Sequence, residues 1–223
     1  MTGAPTDLVL LRHGETAWNR ERRIQGQLDV PLNDEGLRQA EAAARRLAAQ
    51  AAHYRLVPAP GCPAPALVSS DLQRCRQTAE PIARALGLEP AWDARLRERG
   101  YGPFETRTYA EVQRDSAEAF ARWLSRDPDF ALAGAETLRG FAARVEAAIV
   151  ELVARHAGRT LVVVTHGGVL DVVHRMARSM PLEAPRDFEI PNASLNRLRA
   201  VGGRLELVDW GDVSHWRDAL DEL

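Results

Sequence analysis

The sequence predicts an α/β fold built on a buried open sheet. Three observations point there. Two apolar runs, Leu8-Val9-Leu10-Leu11 and Leu161-Val162-Val163-Val164, are continuous rather than alternating. That is the pattern of strands covered on both faces. Between them lie segments with apolar residues at helical spacing. The C-terminal part alternates on either side of Gly202-Gly203, which reads as a hairpin of two strands.

In chain order, the first strand ends at the turn Arg12-His13-Gly14-Glu15-Thr16, and a polar, non-periodic loop runs from Arg20 to Leu32. Asn33 caps a helix with Asp34 and Glu35 in its first turn and Leu37, Ala40, Ala44 and Leu47 on one face, ending near Ala51 to His53. Pro58 to Pro65 is a loop, and Ala66-Leu67-Val68-Ser69 is a second strand. The next helix is expected to take Ser70 or Asp71 as its cap, to kink at Pro81 and to end at Gly87. Ala91 to Leu96 reads as extended, and Arg97 to Glu105, with two glycines and a proline, as a loop. Tyr109 to Ser125 reads as one amphipathic helix. A further helix carries Leu138, Phe141, Val145, Ile149 and Leu152 on one face and stops at Gly158. The strand Leu161 to Thr165 leads through His166-Gly167-Gly168 into a helix from Val169 to Arg178. The five tryptophans are expected mostly in the core, with Trp18 behind the His13 loop.

Composition narrows the function. Hydrophobic residues are 45% and charged residues 27% of the chain, which suits one domain spanning residues 1–223 with a full core. The formal charge is −2 and there is no basic run, so neither nucleic acid nor an anionic membrane is an expected partner. No apolar stretch reaches the roughly 18 residues of a membrane span, and the N-terminus has no basic leader. Cys62 and Cys75 make neither a disulfide framework nor a CxxC pair. The expected compartment is a reducing cytoplasm.

The chemistry collects at strand ends. Ligands of open α/β sheets bind beyond the carboxyl ends of the strands. Arg12 and His13 emerge there, and Gly14 lets the backbone approach a ligand. His166 repeats the arrangement, with a helix N-terminus suited to an anion just behind it. Arg74 falls in the first turn after the second strand, and Glu98 sits on a loop with Tyr101 and Phe104 nearby. Arginines suit a phosphoryl group, a histidine can attack phosphorus, and a carboxylate can protonate the leaving oxygen. No zinc-ligand spacing and no GxxxxGK[ST] occurs. The residues therefore suggest phosphoryl transfer without metal or cofactor, since cations can stabilise the equatorial oxygens.

Four motifs in order carry a family resemblance: Arg12-His13-Gly14-Glu15-Thr16 with Asn19; Ser69-Ser70-Asp71-Leu72 with Arg74, Thr78 and Ala79; Leu96-Arg97-Glu98; and Thr165-His166-Gly167-Gly168. Together they resemble the histidine phosphatase superfamily, in its phosphoglycerate mutase-like branch, from Leu8 to about Trp210. The resemblance implies a three-layer α/β/α sandwich around a mixed, mostly parallel sheet, with a cap segment at about 103–133. It implies that His13 becomes phosphohistidine, that Arg12, Arg74 and His166 form the phosphate pocket, and that Glu98 is the general acid. Asn19 and the Gly167 amide match further phosphate contacts. Gln25, Gly26, Tyr101 and Gly168 match positions that line the substrate. Glu15, Glu136 and Thr137 are expected to support the structure. A homodimer is the family-level expectation.

The family divides into phosphatases and mutases. Arg23-Ile24-Gln25-Gly26-Gln27-Leu28-Asp29 resembles the phosphatase pattern. Gly100 stands where mutases carry a histidine, and Arg107 to Ala133 lacks their paired arginines and proline run. Thr106 stands where many relatives have glycine. The expected function is a metal-independent phosphomonoesterase acting on small phosphorylated metabolites. The alternatives are a 2,3-bisphosphoglycerate-dependent phosphoglycerate mutase and a non-catalytic phosphate-binding protein. His53, His156, His174 and His215 are expected to be bystanders.

Overall fold

The computed structural model describes residues 4–57 and 63–216. Cys62 lies outside the described residues. The strands are β1 (Thr6–Arg12), β2 (Ala66–Ser69), β3 (Pro90–Trp92), β4 (Thr160–Thr165), β5 (Leu195–Val201) and β6 (Arg204–Asp212). They form one sheet in the order β3-β2-β4-β1-β5-β6. β1, β4, β2 and β3 are parallel, and β5 and β6 add an antiparallel edge. The helices are α1 (Ala17–Arg20), α2 (Asp34–Ala49), α3 (Gln73–Leu86), α4 (Tyr109–Asp115), α5 (Ala117–Leu124), α6 (Leu138–Arg155) and α7 (Gly167–Arg178).

The apolar runs of β1 and β4 feed two cores at once. Successive residues of a strand point to opposite faces. Leu8, Leu10, Leu161 and Val163 therefore pack with Phe141, Val145 and Ile149 of α6 and Val169 and Val173 of α7. Val9, Leu11, Val162 and Val164 pack on the other side with Ala44 and Leu47 of α2 and Ala79 and Ile82 of α3. This gives the three layers. A third, smaller cluster, Ile24, Phe104, Val112 and Phe120, holds α4 and α5 against the loop after β1.

Several local expectations are corrected. α3 starts at Gln73 with Leu72 as its cap and no capping side chain. Neither Ser70 nor Asp71 is available: the Ser70 hydroxyl meets His166 at 2.8 Å, and the Asp71 carboxylate accepts from Arg97 at 2.7 and 2.6 Å. The helix ends where expected, running past Pro81 to Gly87, whose φ of 65° closes it. The segment Ala91 to Leu96 is extended only to Trp92, after which Asp93 caps a single helical turn. Tyr109 to Ser125 is two helices, α4 and α5, divided at Ser116, whose φ of −147° is not helical. None of the five tryptophans is fully buried, and Trp92 is 38% exposed. The indole is too large to be covered completely in most settings. Thr106 adopts a φ of 72°, a left-handed conformation that explains why glycine suits this position.

Candidate active site

Parallel pairing of β1 with β4 sets Arg12 opposite Thr165, so the residues that follow each strand leave the sheet side by side. The rings of His13 and His166 lie edge to face with centroids 5.2 Å apart. Gly14, in the turn after β1, packs against Gly36, in the first turn of α2. A Cβ on Gly14 would stand 2.5 Å from the Gly36 carbonyl oxygen, and one on Gly36 would stand 2.0 Å from that of Glu15. The Gly14 amide also donates to the Thr78 hydroxyl at 3.1 Å. This fixes the backbone that carries His13.

The His13 Nδ1 lies 2.7 Å from the Gly14 carbonyl oxygen. A carbonyl can only accept, so Nδ1 carries the proton and Nε2 keeps its lone pair. Burial, then Arg74 and Arg12, hold the His13 pKa well below the ordinary imidazole value, and the Gly14 hydrogen bond opposes them more weakly. His166 is shifted down in the same sense by burial, Arg74, His13 and Arg12. Both imidazoles are therefore neutral at neutral pH.

Arg74 is 1% exposed. Its Nε donates to His166 Nδ1 at 3.2 Å, and its terminal nitrogens donate to the carbonyls of Leu28 and Gly26 at 2.8 and 2.7 Å. Each terminal nitrogen retains a second N–H. Arg12 donates to the Ile190 carbonyl at 2.6 Å. Because Arg74 donates to Nδ1 of His166, that ring carries its proton on Nε2 and donates to Ser70 Oγ at 2.8 Å. Glu98 is held by backbone amides: one oxygen accepts from the Arg99 amide at 2.7 Å and the other from the Gly168 amide at 2.9 Å.

A cavity of about 50 Å³ sits at this junction. Of the residues expected in the site, Arg12, His13, Asn19, Gln25, Gly26, Arg74, Glu98, Tyr101 and Gly167 all line it. His166 and Gly168 do not. His166 lies behind His13 and braces Arg74, and Gly168 gives its amide to Glu98. Three arginines against one carboxylate make the cavity electropositive, because Arg23 also faces it. Arg23, Ile24 and Tyr109 also line the cavity, beyond the residues expected from the sequence. Arg23 and Ile24 were legible as neighbours of Gln25, whereas Tyr109 reaches the cavity only because α4 folds back over the loop.

The supporting residues behave as expected. Glu15 accepts from Arg20 and Asn33 at 2.9 and 2.7 Å. Glu136 accepts from the Gly100 amide and from Arg144, each at 2.8 Å, and Thr137 caps α6. His174 is stacked on Phe188 with centroids 3.6 Å apart, away from the cavity.

The class that this fold and site define is an open-sheet α/β protein whose parallel strand ends gather two histidines and two arginines, where ligands of such sheets bind. Residues 8–213 match the model of the histidine phosphatase superfamily (branch 1). The chain belongs to that family. It is 37% identical over 212 residues to phosphoglycerate mutase-like protein 4 of Arabidopsis thaliana, covering 94% of this chain and 86% of that one. Bacillus stearothermophilus YhfR has a similar structure, with a TM-score of 0.81 and 31% identity over 94% of this chain and 98% of that one. A mycobacterial glucosyl-3-phosphoglycerate phosphatase, solved with VO3, gives a TM-score of 0.75 and 32% identity over 92% and 98%.

Proposed function

We propose that the protein is a metal-independent phosphomonoesterase that works through a phosphohistidine. The observation that carries this reading is the Nδ1–H of His13 held on its own turn by the Gly14 carbonyl beside Arg12 and Arg74. That arrangement leaves a neutral Nε2 lone pair in a cationic cavity. Nε2 attacks phosphorus, the bond to the alcohol oxygen breaks, and the leaving oxygen takes the proton of Glu98. Arg12, Arg74 and the Gly167 amide hold the phosphoryl oxygens as their charge grows. Glu98, now a carboxylate, takes a proton from water as that water attacks phosphorus. The P–N bond breaks, inorganic phosphate leaves, and Glu98 is again an acid.

Hydrolysis is favoured over mutase chemistry by the fate of the arginines in the cap segment at about 103–133. Each of the four cap arginines already has a carboxylate, Arg107 and Arg114 sharing Asp115, Arg122 on Asp127 and Arg126 on Asp171, so none is set as a paired second-phosphate clamp. The name of the Arabidopsis relative keeps the mutase as the second reading. Phosphorus NMR of 3-phosphoglycerate with catalytic 2,3-bisphosphoglycerate and EDTA separates them. The expected result is no 2-phosphoglycerate, with p-nitrophenyl phosphate hydrolysed in the same buffer. Rapid build-up of 2-phosphoglycerate would make the protein a mutase.

A further inference from the structure

Beside the cavity of about 50 Å³ lies a pocket of about 600 Å³. Tyr101 and Tyr109 line both, and the adjacent Gly167 and Gly168 line one each, so the two spaces meet across these residues. A leaving alcohol too large for the small cavity has this adjoining space to occupy. That space has the volume of a site for a molecule well above three carbons in size.

Its walls have two chemical characters. One wall is aromatic: Trp123 stacks on Tyr109 with centroids 5.6 Å apart and meets Tyr101 edge-on at 5.7 Å. Flat rings presented this way suit a flat apolar body. The other carries guanidinium groups, with Arg22, Arg99 and Arg126 lining it beside the carboxylate of Asp171. Asp171 is already shared by two arginines, Arg126 at 2.6 Å and Arg175 at 2.9 Å, so the balance stays positive. Arg99 is 7% exposed, and its guanidinium donates to the carbonyls of Glu136 and Phe130 at 2.9 and 3.2 Å. It makes no ion pair with a carboxylate among the described residues. Its guanidinium also lies over the Tyr101 ring at 5.7 Å, and a buried cation without a carboxylate at ion-pair distance gains from an anion brought to it.

From these walls we infer that the substrate is a phosphate monoester whose leaving alcohol carries a flat apolar body and a second anionic group, rather than a small sugar phosphate. The inference rests on the phosphomonoesterase reading and names the substrate class for that same site.

The test compares kcat/KM for 4-carboxyphenyl phosphate with that for its neutral isostere, 4-carbamoylphenyl phosphate. The two esters have the same size and closely matched leaving groups. A preference of about tenfold for the carboxylate is expected, the scale of one charge-assisted contact. Arg99→Gln should bring the ratio close to one. Arg22→Glu, an exposed change that leaves the core untouched, should lower it about threefold through the field of the pocket alone. Trp123→Ala should raise KM for the carboxylate ester about tenfold. Equal kcat/KM values for the two esters in the wild-type protein would overturn the inference while leaving the phosphatase intact. If neither ester nor p-nitrophenyl phosphate is hydrolysed, the phosphomonoesterase reading fails, and the substrate class with it.

Discussion

His13 owes its expected reactivity to neighbours that keep it neutral and aimed. Burial and the two arginines hold its pKa below the ordinary value, so protonation that would silence Nε2 begins only in more acidic solution. Loss of kcat/KM through protonation of His13 should therefore appear only below about pH 6.5. A limb centred at or above 6.5 would contradict the assignment. The same shift reaches stability. Between the lowered native value and the ordinary one, the unfolded histidine holds a proton that the native one does not. Stability present above the ordinary imidazole pKa is thus lost as pH falls through that window, for His13 and His166 alike. Urea midpoints should be lower at about pH 5 than at about pH 7. Glu98 depends on a glycine instead. A Cβ on Gly168 would stand 2.2 Å from its Oε1. Gly168→Ala should drive the carboxyl off its amide and lower kcat about 10²-fold, with no loss of thermal stability. Wild-type kcat in this variant would show that the contact does not position the acid. That contact spans 70 residues, which is why the sequence shows Gly168 as a substrate-lining residue but not its amide bond to the acid. Gly36 is not legible as an obligatory glycine for the same reason, because its need for no side chain comes from Glu15 across a turn.

β1 and β4 were legible because both faces of each are buried, which leaves a continuous apolar run in the sequence. α6 was legible because one stripe of it fills a core and Thr137 caps it. Helix starts and breaks that depend on distant partners were not. The Ser70 and Asp71 side chains looked like caps and are taken by His166 and Arg97. The break at Ser116 has no glycine or proline to announce it. It lets Val112 of α4 and Phe120 of α5 both turn into the small cluster with Ile24 and Phe104. The strength of β4 is open to measurement. Leu161 is wholly buried between α6, α7 and the sheet. Leu161→Ala should cost about 3 kcal/mol in urea unfolding. A cost below about 1 kcal/mol would mean that this core closes up around the lost side chain.

The assembled protein makes its site by strand order. β1 and β4 are neighbours in space although more than a hundred residues apart in the chain, and only that pairing brings His13 beside His166. The motifs showed which residues would gather, and the family resemblance implied where. The large pocket was not visible in the sequence. Its arginines come from the loop after β1, the loop of Glu98, the end of α5 and the segment after α7, and no local pattern joins them. The central claim is that the phosphoryl group passes through His13. The most direct measurement mixes the protein with p-nitrophenyl phosphate in EDTA, quenches within one turnover at alkaline pH, and maps the phosphorylated peptide by mass spectrometry. The account predicts one acid-labile phosphoryl group on His13, and none in His13→Ala, whose hydrolysis should fall at least about 10³-fold. Hydrolysis at the wild-type rate by His13→Ala, or a phosphoryl group trapped on any other residue, would contradict it.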